Sequence, residues 1–501
     1  MKKIILISLL CVCVCLNMSC ENNELKVSTS SQKALELFNE GVSLAEKFYD
    51  VEAIKKFNDA INLDSSFVMA HYYKSRSYES LGNLAEASKS IDEAKNYSGT
   101  KTMQEWMFVS AWDNILKNRY SDAIKIYEQI LKNSPRNKHA LFVSGKTYFL
   151  MGDYESDVKM MKKLVKIYPD YAPAFNQLGY AYNEMGEMDL ALAAFSTYAN
   201  LEPNEPNPHD SLGDMYRKMG EYRNAASEYK KAIEVKDDFY VSYQNLGLVH
   251  LCAGNYQEAE NVFQDFLKKF PAHERQRDGY LDLTRCYTAT GQYNKALESA
   301  EHAVQNSKTV FRKSAAITNK ANIYILKGDY DSASKLLNAS HTIYPDAIWA
   351  LEGKGILALN KQDYSTALSQ AEKMKIVIDK YGIETYNKNY FTLLGNLAME
   401  QGFLDEAVMY FKDAMNYDEY DLISNRYHLA KAYYKKKELS TAIDMCNEIL
   451  KLNENHPQTH LLLGEIYEVQ NKRQQAKTEY DKFHKIWKNT DVSITKIVGL
   501  N

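Results

Sequence analysis

Two histidines stand four residues apart in the stretch HPQTH, as His456 and His460. On a helix that spacing sets both imidazoles on one face, where two nitrogens can share a metal. Pro457 follows the first, which puts His456 at or before the helix start. The pair therefore reads as surface histidines. Asp210 and Asp214 are also one helical turn apart. Paired carboxylates can do acid–base work, but on a helix they more simply form a solvated or groove-lining face. Cys252, Cys286 and Cys446 are isolated, with no CxxC pair and no disulfide framework among them. They read as small buried or half-buried hydrophobes. GxxxxGK[ST], GxGxxG after a strand, HExxH and GxSxG are all missing. These residues offer no catalytic, cofactor or metal constellation.

The chain has 501 residues, 45% apolar and 25% charged, which is an ordinary folded composition. The net charge is −4, without a basic stripe, so nothing points to nucleic acid. Proline is scarce at 9 residues, which suits helices.

The first twenty residues read as an address. Lys2 and Lys3 precede an apolar run from Ile4 to Leu16, and Ser19 precedes Cys20. The run is short for a bilayer span. The segment resembles a bacterial lipoprotein signal peptide, which implies cleavage after residue 19 and acylation of Cys20. Asn17 stands where such signals usually carry leucine, so plain secretion and an uncleaved anchor remain alternatives. Residues 20–33 are polar and read as a flexible tether reaching roughly 40 Å at full extension. The expected address is the cell envelope, lipid-anchored at the outer membrane, with its membrane face open.

The elements that must position any site repeat with a period of 34. The clearest unit runs Phe175, Leu178, Gly179 and Tyr182, then Ala191 and Phe195, then Pro203. Thirteen units follow that frame, starting near Ala34, Val68, Gln104, Lys138, Ala172, Pro206, Tyr240, Arg277, Ser314, Ile348, Lys388, Ile423 and Pro457. This spacing resembles the tetratricopeptide repeat, a helix–turn–helix. The resemblance implies an all-α, right-handed α-solenoid over residues 34–490, with a capping tail at 491–501. The eighth residue of each unit is small and the twentieth is alanine in all but the fourth, which reads as a close approach of two antiparallel helices. Gly186 should end a helix in the left-handed conformation. Asp157 replaces the alanine in that fourth unit, and a small local shift or a water or backbone donor would accommodate it. The last helix, from Lys472, has a polar outer face, as a terminal cap needs.

Extra residues interrupt the period at 274–276, 311–313 and 382–387. Such insertions either form loops on one face, sometimes the binding face, or bend the array.

In this family the first helix of each unit lines a concave groove. Its inward positions, the second, fifth, ninth, twelfth and thirteenth of each unit, define three zones here. The first holds Phe38, Tyr72, Phe108, Trp112, Phe142 and Phe149. The second holds Asn176, Tyr180, Asn183, Asn207, Asp210, Asp214 and Arg217. The third holds Trp349, Asn389, Thr392, Asn396, Tyr427, Lys431 and Tyr434. The aromatics could anchor a peptide, so Trp112→Ala with Phe142→Ala should abolish partner binding and spare the fold. The resemblance implies a non-enzymatic, membrane-anchored scaffold for protein or peptide partners, without a cofactor. The alternative is a ligand-capture lipoprotein for glycans or peptides. Enzymes that join such repeats to a catalytic domain would need more non-repeat sequence than these units leave.

Overall fold

The computed structural model describes residues 27–98, 102–271, 275–418 and 421–491. The signal segment 1–19 and Cys20 lie outside the described residues. The described residues form 26 α-helices, one short 3₁₀ turn and no strand. Consecutive helices pair into thirteen antiparallel hairpins whose first helices begin within four residues of the thirteen frame positions.

The hairpin Ala172–Glu184 with Met188–Leu201 shows how one unit forms. Pro173 lies in the first turn of its first helix, where its missing N–H costs nothing. Gly186 closes that helix at φ +76°, a region that penalises any Cβ. Ala191 and Phe195 are buried on the second helix. The inter-helix contact differs in detail from the simple glycine-to-alanine expectation. A Cβ on Gly179 would lie 2.5 Å from the Phe195 ring, sixteen residues on. The same offset recurs for Gly41 with Phe57, Gly213 with Tyr229, and Gly247 with Phe263. The glycine therefore clears space for an aromatic ring. Backbone approach at the alanine position is seen in the second hairpin, where Ser75 Oγ donates to the Ala87 carbonyl at 2.7 Å.

Two of the three insertions lengthen helices. Residues 311–313 lie inside the helix Val310–Lys327. Near the third, the helix Tyr364–Tyr381 runs to 18 residues, ends at Gly382 in the left-handed region, and passes into the 3₁₀ turn Glu384–Tyr386. At the first, 272–274 are outside the described residues and Gln276 starts a helix.

The chain divides between Leu212 and Gly213 into two compact units. In the N-terminal unit the turn of the first hairpin reaches two much later loops. Lys47 Nζ and Tyr49 Oη each donate to Glu205 at 2.8 Å, and Tyr171 Oη donates to Glu46 at 2.8 Å. The end of the expected tether is docked in this unit: Ser28 N and Oγ donate to the Glu105 carboxylate, and Thr29 Oγ1 to Asp64. Glu105 is fully buried and also closes a capping box with Thr102.

In the C-terminal unit the last helix, Arg473–Ile486, is followed by Trp487, which is 3% exposed. Its indole Nε1 donates to the Ala289 carbonyl at 2.9 Å, and Thr490 Oγ1 donates to Gly291. The end of the array thus packs on a loop almost two hundred residues earlier in sequence.

Candidate functional site

A cavity of about 150 Å³ lies in the N-terminal unit. Its walls come from the first helices of the second, third and fourth hairpins, Val68–Ser80, Met103–Leu116 and Lys138–Leu150, and from the turn of the first hairpin. Three to four residues separate the contributing positions along each helix, so a single inner face supplies them. That face carries Tyr73, Arg76 and Glu79, then Trp112 and Ile115, then Phe142, Lys146 and Leu150. Glu46, Asp50, Ser77 and Tyr171 complete the lining used below.

The charges in this cavity are unevenly matched. The Arg76 guanidinium lies 5.3 Å from the Tyr73 ring centre and 5.7 Å from those of Tyr72 and Trp112. Such cation–π contacts hold a guanidinium without neutralising it. Lys146 Nζ lies 5.9 Å from the Phe142 ring. Among the described residues neither cation has a carboxylate within ion-pairing distance. Lys146 is open to solvent by area, yet protein crowds it, and burial together with the Arg76 charge lowers its pKa. His139 is buried and bridges the Tyr72 and Tyr73 hydroxyls at 3.0 and 3.1 Å. Burial, then Arg76, hold it well below the usual histidine range, so it is neutral. Three carboxylates share the lining without pairing with either cation: Glu46 accepts from Tyr171 and Asp50 from Ser80 at 2.7 Å, and Glu79 and Asp50 act on Lys146 as longer-range charges.

The inward positions sort differently from the sequence expectation. Phe38, Tyr72 and Phe108 are 4%, 0% and 0% exposed. They fill the core, because rings of the same hairpin and of the next one meet there: Phe38 with Phe57 and Phe67, Phe108 with Tyr127 and His139. Trp112 touches the cavity but is anchored behind it, its Nε1 donating to Ser75 Oγ at 2.9 Å. Removing it would damage the core, so the Trp112/Phe142 pair does not isolate binding from folding. Phe142 is half-buried, packs edge-on against Tyr171 and faces the cavity. Phe149 packs on Tyr154. The rule that named inward positions also names the ninth, which holds Arg76 and Lys146. Neither is aromatic, so a groove defined by aromatic anchors leaves both out.

The second zone is split between the two units. In the first, Asn176 and Asp210 are buried, and Tyr180 packs edge-on to Phe195. Asn183 lies toward the end of the same helix, and Asn207 donates to Tyr198 Oη. In the second, Asp214 accepts from Tyr229 Oη at 2.6 Å and from Arg217 at 3.2 Å. Most of the third zone is likewise bonded internally. Trp349 Nε1 donates to Ser314 Oγ, Asn389 to Glu352, Asn396 to the Thr392 carbonyl, and Thr392 to Asn425. Tyr427 is the exception, since it lines a second cavity of about 460 Å³, while Lys431 and Tyr434 are half-buried. That second cavity also holds Tyr256, Asn319, Asn322, His428 and His456. Burial lowers both histidines to about 4, so they are neutral.

The surface reading of the HPQTH histidines needs correction. His460 is 2% exposed, with Nδ1 2.6 Å from Glu479 and Nε2 2.8 Å from the Glu454 carbonyl. His456 bonds Thr459. No group of three or more potential metal ligands gathers among the described residues. Asp157 is fully buried and is met by a side-chain amide, Gln177 Nε2 at 2.7 Å. Its Oδ1 has no partner, and burial raises its pKa to about 6. Cys286 and Cys446 are buried and Cys252 half-buried, all three free.

Family comparisons join this geometry to known repeats. Two models described as tetratricopeptide repeat match residues 117–172 and 245–311, and residues 172–205 and 209–239. Over those residues the chain matches tetratricopeptide repeats. A TPR repeat-containing protein of Methanocaldococcus jannaschii is 23% identical over 196 residues, which is 39% of this chain and 32% of that protein. The chain thus spans about a third of the length of that curated relative. Among solved structures, MamA is 28% identical, with 34% of this chain and 95% of that one covered at a TM-score of 0.30. A tetratricopeptide repeat protein from Parabacteroides merdae is 17% identical, with 52% and 98% covered at 0.41. The APC/C hetero-tetramer Cut9-Hcn1 is 12% identical, with 93% and 96% covered at 0.36. Tetratricopeptide repeats generally bind protein or peptide partners and are generally non-catalytic.

Proposed function

We propose that this chain is a non-enzymatic scaffold of the bacterial cell envelope, tethered through acylated Cys20, that holds an extended segment of a partner protein on its inner helix face. The observation that carries the reading is the cavity in the N-terminal unit, whose walls come from matching positions of successive hairpins. A row of equivalent positions can follow an extended chain in a way that a single enclosed pocket cannot. The anchor and the envelope address rest on the lysines, apolar run and Ser19–Cys20 of the N-terminus. No helix among the described residues is long and apolar enough to cross a membrane.

The test is cross-linking in intact cells, with recovery of the chain from the membrane fraction beside Phe142→Ala/Leu150→Ala. Both side chains line the cavity, Phe142 half-buried and Leu150 48% exposed. A defined partner set, lost in the variant while the melting temperature holds, supports the scaffold. The same set kept in the variant removes this cavity as the binding face.

A second reading, capture of a neutral polar ligand such as a glycan, has its own observation. The larger cavity joins two tyrosines to amides, hydroxyls and uncharged imidazoles, and its one guanidinium, Arg285, is already paired with Asp282. Saccharide titration of the wild type and Tyr427→Ala tests it, and an unchanged fluorescence trace in both ends it.

A further inference from the structure

Ser28 and Thr29 are held by two different helices. Ser28 N and Oγ donate to Glu105 at 2.7 and 2.6 Å, and Thr29 Oγ1 donates to Asp64 at 2.7 Å. Two adjacent residues thus bridge the start of the helix Met103–Leu116 and the end of the helix Asp50–Leu63. Both ends lie on one edge of the N-terminal unit, because antiparallel pairing puts every link between hairpins on the same side. Large apolar side chains stand exposed around this bridge. Met103 and Trp106, one helical turn apart on either side of Glu105, are 72% and 47% exposed, and Leu63, next to Asp64, is exposed as well. The helix Tyr120–Asn133 ends on the same edge. The stretch that leaves it, KNSPRNK, exposes Lys132, Arg136 and Lys138 and contains no acidic residue.

We propose that this edge of the N-terminal unit lies on an anionic phospholipid surface, with Leu63, Met103 and Trp106 in the headgroup layer and the KNSPRNK stretch against lipid phosphates. The inference rests on the acylated Cys20 of the scaffold reading and adds how the anchored chain meets its membrane. Three features choose a bilayer as the occupant. From Cys20 to Val27 the chain spans at most about 25 Å. The docking of Ser28 and Thr29 therefore keeps this edge close to the bilayer that holds the acyl chains. Tryptophan joins an apolar body to an N–H tip, which suits the headgroup layer. The three cations match the negative potential of anionic lipid. A patch this small would hold a free protein weakly, but the anchor makes its contact with lipid intramolecular.

The experiment uses the full chain, purified from membranes and reconstituted on vesicles of phosphatidylethanolamine and phosphatidylglycerol that contain dibrominated phosphatidylcholine. Flotation in a sucrose gradient reads the anchor, and bromine quenching of tryptophan reads the contact. The expected result is that the wild type floats and loses roughly a quarter of its emission, the share of one tryptophan in four. Trp106→Phe should float and lose none. Met103→Glu should float and be quenched about twofold less, since a charge disfavours the apolar side of the interface. Replacing phosphatidylglycerol by phosphatidylcholine should weaken wild-type quenching in the same way. A wild type that floats unquenched overturns the lipid contact, leaves the anchor standing and gives the edge to a protein occupant. Equal quenching of the wild type and Trp106→Phe overturns the assignment to this edge. A wild type that stays at the bottom of the gradient with Cys20→Ser overturns the anchor and the contact together.

Discussion

Asp157 takes the position that every other hairpin gives to alanine, and the fold responds with a single amide donor. A carboxyl raised from 3.8 to about 6 keeps its proton longer in the folded chain than in the unfolded one. Between those values the native state binds more protons, so stability falls as pH rises through the window. The full difference corresponds to about 3 kcal/mol. Asp157→Asn should therefore be more stable than wild type at pH 7 and nearly equal to it at pH 4, measured by urea denaturation at both. Parallel curves for the two proteins would show that the carboxyl titrates normally. A second residue-scale effect concerns the turn between helices. Lys437 sits at φ +63° at a turn position where eight other repeat units place glycine. It is exposed, and Lys437→Gly should raise stability by about 1 kcal/mol. At this scale the sequence shows which residue is unusual. It does not show what the residue meets, because Gln177 lies on the next hairpin.

A helix pair succeeds or fails on its contact ridge. Gly179→Ala would gain about 1 kcal/mol of helix propensity, but its methyl would press on the buried Phe195 ring. Overpacking of that kind costs about 1–3 kcal/mol, so a net loss is expected in thermal melts. An alanine variant as stable as wild type would mean that the ring yields freely. The last hairpin depends on Trp487, which is nearly buried and hydrogen-bonded to Ala289 at the end of the helix Gln276–Ala289. Trp487→Ala should cost about 3–5 kcal/mol. In a repeat array such a loss is local. Amide exchange should therefore rise in residues 276–305 and 457–486 and stay unchanged in the N-terminal unit. The pairing, the turn glycines and the helix starts were legible from the 34-residue period. The insertions were less so: an added turn of helix and an added loop have the same length in sequence. The helix Tyr364–Tyr381 shows which was chosen.

Within the N-terminal unit as a whole, Glu205 ties a late loop to Lys47 and Tyr49 in the first turn. That turn is one wall of the cavity. Glu205→Ala should speed amide exchange in residues 45–50 and weaken capture of the partner segment, with exchange elsewhere in the unit unchanged. Unaltered capture would separate the latch from the site. The sequence by itself determined the repeat, its count and the small residues that let helices close, because all of these depend on neighbours within about one period. It also contained the inward positions, Arg76 and Lys146 among them. Only the tertiary structure decided which inward residues face a cavity and which fill the core. Phe38, Tyr72 and Phe108 vanish into packing while Phe142 and Lys146 stay accessible. The reason is physical. Burial of an inward side chain depends on how far successive hairpins rotate and on the size of the rings between them. The cavity itself requires residues 46 and 171 to meet, 125 apart in sequence, a distance that no local pattern records.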